Sequence, residues 1–419
     1  MQEPITEQRN TSWKMIGPGI VVAATGVGSG DLVATLVAGE NYGYALLWAV
    51  IVGCIVKISL AEATGRWHLA TGKTIFDGWR SLGLWTFVFF APYIVIWGFV
   101  YGATAMSATA LPLAAMFPAV PLPVFAVIAG ISGLVFVWFN QYPVFEKVMT
   151  VLVGVMFVTV VGLAVYLVPN LGDMATGIVP TVPDGSLFNT LGLIGGVGGT
   201  ITMAAYGFWV NAKGWRDSTW IKMMRMDNRV AYITTGVFVL AMLIVGAELL
   251  RPMGVALADG DQGLITLAEV LRDEFGPVVS ILFLIGFFAA AYTSLIGVWH
   301  GVSLMFADFV RKLRGQPSIP VEERETSKEF RAYLIWLTFP PMLLLILDEP
   351  IQLIIAYGVL GSAFMPFLAF TLMWLLNTRH TPKEWRNGIV SNVGLAIAGG
   401  LFLVLCVNDI YTRITGAGG

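Results

Sequence analysis

The stretch ATGVGSGDL, residues 24–32, interrupts an apolar run with three glycines, a serine and a carboxylate, Asp31. A second glycine-rich interruption, GLIGGVGGTITMAAYG at residues 192–207, lies in a later apolar run. Glycine also lets membrane helices pack closely, so one such run alone can be a packing feature. Two interruptions at matching places in two halves of a chain instead indicate an inverted-repeat transporter, whose broken helices frame a site near the membrane midplane.

The composition is typical of an integral membrane protein. Of the 419 residues, 57% are hydrophobic and only 12% are charged, which is about half the charged fraction of soluble domains. Apolar runs of roughly 20 residues, enough to cross a bilayer, recur almost end to end. The sequence predicts eleven spans, at residues 15–39, 43–65, 84–112, 122–139, 145–168, 187–210, 230–250, 277–308, 330–347, 350–376 and 388–410. The two interruptions then fall in spans 1 and 6.

We therefore predict an all-α integral membrane protein with about 11 transmembrane helices and a 5+5 inverted repeat, in which helices 1 and 6 are broken. Residues 1–419 are expected to form a single transmembrane transporter domain. Repeat one is placed at about 15–168, repeat two at about 187–376, and an extra helix at 388–410. Lipid cannot satisfy the backbone groups that a break releases, so each break is expected to line a cavity or to be buried in protein.

The basic residues predict the orientation, because lysine and arginine remain mainly on the cytoplasmic side during membrane insertion. Of the 24 basic residues, 20 fall on one side of the eleven predicted spans. This places the N-terminus in the cytoplasm and the C-terminus outside, and we expect a multi-pass protein of the bacterial inner membrane surrounded by lipid. The net charge of −2 is divided between the two membrane sides, so no nucleic-acid partner is expected.

Asp31 is the candidate group for binding a positive charge. An acidic residue inside a span is costly to insert and by default marks a substrate or ion pathway. The alternative is that the carboxylate caps the second half of the broken helix by accepting hydrogen bonds from free amides. We favour a cation-binding carboxylate, a role that is compatible with capping.

Four stretches carry a resemblance to a known family: GPGIVVAATGVGSGDLVAT (17–35), ATGKT (70–74), GTITMAAYGFWVNA (199–212) and GVLGSAFMPFLAFTLMWLLNTRHTPKEWRN (358–387). They resemble the first, second, sixth and tenth helices of the Nramp divalent-metal transporters. The resemblance runs along most of the chain. It implies a LeuT-like fold, with a divalent cation as the transported substrate and no cofactor.

The first helix departs from the family pattern, which usually contains Asp-Pro-Gly-Asn. Counted from the Gly-Pro-Gly at 17–19, the metal-binding Asp of the family falls on Gly28, its Pro on Ser29 and its metal-binding Asn on Asp31. A carboxylate is therefore retained, but it is moved by three residues.

The sixth helix departs as well, since the family usually has Met-Pro-His. The thioether ligand is kept as Met203, and the preceding turn offers a carbonyl near Thr200, whereas the Pro and His fall on Ala204 and Ala205. The resemblance thus implies Asp31, Met203 and Thr200 as metal ligands. The wider set of expected substrate-binding residues is Asp31, Gly28, Ser29, Thr200, Thr202, Met203 and Tyr206.

The usual proton coupling of the family is not expected, because Ala205 replaces its histidine and residues 90–117, which include most of span 3, contain no acid. The candidate charge-relay residues are Lys57 and Glu62 in span 2 and His300 in span 8. The alternatives are that Lys57 extends to the membrane surface or forms a structural ion pair, and that His300 is a hydrogen-bonded structural residue.

The predicted function is a secondary transporter or facilitator of a divalent metal cation, Mn/Fe-like or Mg. One carboxylate with one thioether favours the softer ions. The alternatives are a LeuT-fold transporter of a non-metal solute such as a small organic cation, and a membrane receptor without transport. An enzyme is not predicted, since the three histidines are dispersed and no nucleophile–base pair or phosphate-binding loop is recognisable.

Overall fold

The computed structural model describes residues 11–12, 15–167, 169–196, 198–253, 261–347 and 350–415. Within these ranges the side chains that are not described are those of residues 29–34, 188, 195–196, 253, 261–265, 347, 350–352, 354–356, 358–359, 362, 405 and 408–415.

The described ranges form helices joined by turns and loops and contain no strand. The helices in chain order are α1 (Pro18–Gly26), α2 (Ser29–Tyr42), α3 (Leu47–Thr71), α4 (Ile75–Leu82), α5 (Trp85–Met116), α6 (Leu122–Phe139), α7 (Tyr142–Tyr166), α8 (Leu171–Gly177), α9 (Leu187–Gly196), α10 (Thr202–Ala212), α11 (Ile221–Val245), α12 (Arg251–Met253), α13 (Asp261–Phe275), α14 (Pro277–Leu313), α15 (Val321–Glu325), α16 (Lys328–Thr338), α17 (Pro350–Asn377) and α18 (Ile389–Thr415). A π-helical turn, Gly246–Leu250, continues α11, and a 3-10 segment, Pro340–Leu347, follows α16.

Eleven membrane crossings result. Seven are unbroken helical segments long and apolar enough to span a bilayer: Leu47–Thr71, Trp85–Met116, Leu122–Phe139, Tyr142–Tyr166, Ser218–Leu250, Pro277–Leu313 and Lys328–Ile346. Two more are the pairs α1–α2 and α9–α10, and α17 and α18 complete the set. The predicted all-helical architecture with about eleven spans is confirmed.

Span 7 begins earlier than predicted, at Ile221 and not at 230. Charged and polar residues between 221 and 230 interrupt the apolar pattern. Two of them are nevertheless fully buried and make specific hydrogen bonds. Asp227 accepts hydrogen bonds from the start of α1, and Asn228 donates to Ile58 O at 2.9 Å. A boundary taken from hydrophobicity alone therefore falls too late.

Both breaks lie where the glycines predict them. The first helix is interrupted between Gly26 and Ser29, and the sixth between Gly196 and Thr202. In the second break Gly198 and Gly199 have φ of +77° and +89°, the left-handed region that favours glycine. A Cβ placed on Gly26 would lie 2.1 Å from the carbonyl carbon of Gly198. The two breaks therefore touch backbone to backbone.

Two long helices hold this contact from different sides. The 37-residue α14 packs against α1, α5, α7 and α10, and α3 packs against α9, α10 and α11. The last helix, α18, packs on α17 and on α3. The breaks are thus enclosed by protein, as the lack of hydrogen-bond partners in lipid requires. The repeat boundaries given above remain predictions.

Candidate functional site at the two helix breaks

The end of α1 is tied to α14 by hydrogen bonds. Ser294 Oγ donates to Thr25 O at 2.8 Å, and Tyr101 OH from α5 lies 2.7 Å from the same Oγ. The Thr25 hydroxyl donates back to Val21 O at 2.6 Å. The Ser294 hydroxyl therefore supplies a donor to a carbonyl at the end of α1, where a helix leaves carbonyls without intrahelical partners.

The carbonyls released by the second break have side-chain donors. Lys57 Nζ from α3 donates to Gly199 O, and Tyr232 OH from α11 donates to Gly198 O at 3.4 Å. Spans 2 and 7 therefore each send one polar side chain to the unwound segment. The conformation of this segment depends on residues far away in the sequence.

Three of the predicted site residues, Thr200, Thr202 and Met203, adjoin each other where α10 begins. Met203 is fully buried, and its amide donates to Thr200 O at 3.1 Å, so this carbonyl has a second lone pair for a ligand. Thr200 Oγ1 lies 3.4 Å from Tyr357 OH. Thr202 Oγ1 is buried and has no hydrogen-bond partner among the described residues. Because buried hydroxyls normally have a partner, Thr202 can serve a bound ligand.

The predicted site residues of the first break are placed only in part. Gly28 lies between α1 and α2, and a Cβ on it would lie 3.0 Å from Ser294 Oγ, so this glycine faces α14. Ser29 and Asp31 belong to the first turn of α2. Their side chains are outside the part of the structure that is described. The role of the Asp31 carboxylate therefore stays a prediction.

Tyr206, the last of the predicted substrate-binding residues, forms a hydrogen bond with another protein side chain. Its hydroxyl donates to Asp227 Oδ2 at 2.9 Å, and the Asp227 carboxylate also accepts from the amides of Gly17 and Gly19 at 2.8 and 2.6 Å. Asp227 thus caps the start of α1, a role that the sequence analysis missed. A signal was present: α1 begins with Gly-Pro-Gly and has no side-chain cap of its own, so its free amides need a distant acceptor.

Lys57 and Glu62 have separate surroundings although both lie on α3. Glu62 Oε1 is 3.0 Å from Arg66 Nε and 2.8 Å from Arg225 Nε. Arg66 also donates to Trp385 O at 2.6 Å, which connects span 2 to the loop after α17. Glu62 therefore ties helices together away from the breaks, whereas Lys57 reaches the second break.

His300, in α14, is fully buried between two polar partners. Trp209 Nε1 lies 3.0 Å from His300 Nδ1, and His300 Nε2 is 2.9 Å from Glu325 Oε1. An indole N–H can only donate, so Nδ1 accepts and the proton of a neutral imidazole is on Nε2, facing the carboxylate. The histidine connects span 6 to α15, in the loop between spans 8 and 9.

A second charged contact fixes the same loop. Arg324 Nη2 lies 3.2 Å from Asp308 Oδ1, and both side chains are almost completely buried. The guanidinium also lies 4.9 Å from the ring centroid of Phe208 in α10. Burial lowers the pKa of the Arg324 guanidinium, and the Asp308 carboxylate opposes that shift. The sequence analysis did not predict the insertion of this loop.

A cavity of about 310 Å³ lies between α3, α10 and this loop. It begins at Ala204, beside Met203, and extends to Arg216, whose side chain is 62% exposed. The described residues that line the cavity also include His68 and Arg324, and none of them is acidic. The cavity therefore leads from the start of α10 toward the side that the basic residues assign to the cytoplasm.

The described residues contain no group of three or more His, Cys, Asp or Glu side chains placed to hold a metal ion. Among their polar groups beside the second break are the Thr200 carbonyl and the Thr202 hydroxyl, and the buried Met203 follows directly in the chain. The Asp31 carboxylate would be the charged member of this set.

Comparisons with known proteins agree with this architecture. The family model described as natural resistance-associated macrophage protein-like matches residues 19–412. The divalent metal cation transporter MntH of Mycobacterium tuberculosis is 22% identical over 427 residues, covering 97% of this chain and 93% of that protein. A mutant of the Eremococcus coleocola manganese transporter has a TM-score of 0.81 at 16% identity, covering 99% of this chain and 91% of the other. MhsT in complex with L-phenylalanine has a TM-score of 0.67 at 15% identity, covering 96% and 99%. The predicted LeuT-like fold is confirmed.

Proposed function

The chain belongs to the Nramp family, whose members are transporters and not enzymes, and on that premise we propose that it moves a divalent metal cation across the bacterial inner membrane. The observation that carries the proposal is the backbone contact between Gly26 and Gly198. It joins the end of α1 to the second break, and α2 begins three residues after Gly26 while α10 begins three residues after Gly199. A secondary transporter binds its substrate between two such half-helix ends.

The proposed ligands are the Asp31 carboxylate, the Thr200 carbonyl and the Met203 thioether. Thr202, whose hydroxyl has no partner among the described residues, would complete the site with Gly28 and Ser29 as lining. We assign Tyr206 to the Asp227 contact and not to the substrate. A single carboxylate with a thioether favours Mn²⁺ or Fe²⁺ over Mg²⁺, because hard ions prefer oxygen ligands alone.

The proposed route continues through the cavity that begins at Ala204, with the N-terminus in the cytoplasm and the C-terminus outside. Proton coupling of the usual family kind is not part of the proposal. Ala205 stands where the family has its histidine, and residues 90–117 contain no acid. His300 is already bonded on both ring nitrogens, which supports a structural role for it.

Replacing Asp31 with asparagine is expected to reduce metal uptake at least about tenfold, the effect of losing about 1.4 kcal/mol of binding. The amide keeps the size and much of the capping ability of the carboxylate but removes its charge. The measurement is uptake of Mn²⁺, Fe²⁺, Mg²⁺, Ca²⁺ and methylammonium into proteoliposomes of the purified protein.

Asp173→Asn is the matched control, because Asp173 is an acid of α8 remote from the breaks in sequence and bonded to Asn170. It is expected to transport like the unaltered protein. Unchanged uptake in Asp31→Asn would show that Asp31 is only a cap. Uptake of methylammonium alone would favour an organic-cation transporter, and no uptake of any of the five ions would favour a receptor.

Met203→Leu is expected to lower the ratio of Mn²⁺ to Mg²⁺ uptake about tenfold while leaving the protein folded. Leucine preserves the volume of the buried side chain, so packing changes little, but it removes the sulfur that favours softer ions. Met149→Leu, at an equally buried methionine of α7, is the control for packing. If both variants keep the same ratio as the unaltered protein, Met203 is a core residue and not a ligand.

A further inference from the structure

Lys57 lies in the interior of the protein and its side chain is fully buried. An ammonium group inside a membrane domain is costly unless its charge is compensated. Lys57 Nζ donates to Gly199 O and lies 5.3 Å from the centroid of the Phe402 ring in α18, within the range of a cation–π contact. The side chain thus extends inward to the break of span 6 and not outward to a membrane surface.

The acceptor is a carbonyl that exists as a free group only because the helix is broken. Gly198 and Gly199 both have positive φ, so neither continues α9, and their carbonyls belong to the unwound segment between α9 and α10. In transporters with broken helices, unwound carbonyls of this kind coordinate a coupling cation such as Na⁺. The Lys57 ammonium places one positive charge at such a carbonyl.

We infer that Lys57 is a tethered monovalent cation: its ammonium occupies a cation site at the break of span 6, so that no soluble Na⁺ or K⁺ is needed there. Phe402 supplies an aromatic face to the same charge, which involves the extra helix α18 in the site. Gly199 directly precedes Thr200, so the ammonium also fixes a positive charge beside the proposed substrate carbonyl. Only this last consequence rests on the proposed function.

The inference is tested by making room for a soluble ion. Lys57→Ala removes the ammonium and its chain, so the Gly199 carbonyl loses this donor and a space for a small cation is expected beside it. The thermal unfolding midpoint of the purified variant is expected to fall by about 5 °C. It is expected to recover in a saturable way with methylammonium or Na⁺, but not with tetramethylammonium, which controls for ionic strength and is too large.

Two controls separate cation binding from general salt effects. Lys57→Gln keeps an N–H donor and most of the side-chain volume, so it is expected to fold and to show no cation-specific response. Lys147→Ala, at an exposed lysine, should behave like the unaltered protein in every salt.

An equal response of Lys57→Ala to methylammonium and tetramethylammonium, or no response to any cation, would overturn the inference. So would a Lys57→Ala protein that cannot be purified folded in any of these salts while Lys57→Gln can, since a soluble cation would then not replace the ammonium. The measurement uses no transported substrate. Its failure is therefore distinguishable from failure of the proposed function.

Discussion

Gly26→Ala is expected to lower the thermal unfolding midpoint by about 5–10 °C and to abolish uptake. The added Cβ would lie 2.1 Å from Gly198 C and 2.3 Å from Gly199 N. Both contacts are with backbone, so no side chain can rotate away. Overpacking of a core typically costs about 1–3 kcal/mol, equivalent to a few degrees for each kcal/mol in a chain of this size. The same displacement would separate the two breaks that form the proposed site.

Gly192→Ala is the matched control, because Gly192 lies within α9 and a Cβ there would have no atom within 4 Å. Alanine in a helix interior generally stabilises relative to glycine, so this variant should unfold at the same or a slightly higher temperature and transport normally. Equal midpoints for Gly26→Ala and Gly192→Ala, measured by scanning fluorimetry in detergent, would show that the breaks are not in backbone contact.

The breaks and the number of spans were predictable because both are local properties of the sequence. Glycine runs at residues 26–30 and 195–199 mark places where a helix cannot continue without partners, and the broken helices 1 and 6 lie there. Apolar length then determined the remaining spans. The boundaries were less predictable where buried polar residues belong to the helix, as at the start of span 7 and at the end of span 2, which continues from 65 to Thr71.

The partners of the polar side chains were not predictable, because they are distant in sequence and several are backbone atoms. Lys57 and Gly199 are 142 residues apart, and Asp227 and Gly17 are 210 residues apart. A backbone carbonyl can belong to any residue type, so no sequence pattern identifies it as an acceptor. The interpretations of Lys57 as a surface-directed or ion-paired residue considered side chains alone, and they omitted the released carbonyl that it binds.

The loop between spans 8 and 9 shows that the partners of charged residues were not predictable from the sequence either. Residues 314–331 are rich in both charges and in proline, a pattern typical of a solvated loop. The structure nevertheless buries Arg324 and Glu325 against spans 6 and 8. Their complements, Asp308 and His300, lie on one helix, eight residues apart, and only the folded chain brings the four groups together.

Arg324→Leu is expected to destabilise the protein by about 3–5 kcal/mol, the typical cost of leaving one buried charge without its partner. Asp308 is fully buried. Among the described residues, its Oδ1 would keep the hydrogen bond from Ser318 Oγ at 3.0 Å, and its Oδ2 already has no partner. The loop would also lose the contact of Arg324 with the Phe208 ring, so the cavity at Ala204 is expected to widen toward Arg216.

A double-mutant cycle identifies the charge as the cause. Adding Asp308→Asn to Arg324→Leu removes the unpaired carboxylate and is expected to restore most of the lost stability, measured as the midpoint of unfolding in detergent. Arg314→Leu is the matched control, because Arg314 pairs with Glu329 at 2.8 Å with a side chain that is 58% exposed, and exposed pairs contribute about 1 kcal/mol or less. If the double variant is no more stable than Arg324→Leu, the loss comes from the packing of the guanidinium on Phe208. If Arg314→Leu and Arg324→Leu lose equal stability, burial does not determine how strongly Arg324 and Asp308 stabilise the protein.

Only recovery in the double variant together with a small effect of Arg314→Leu agrees with a loop that is held against the membrane helices by its buried charges.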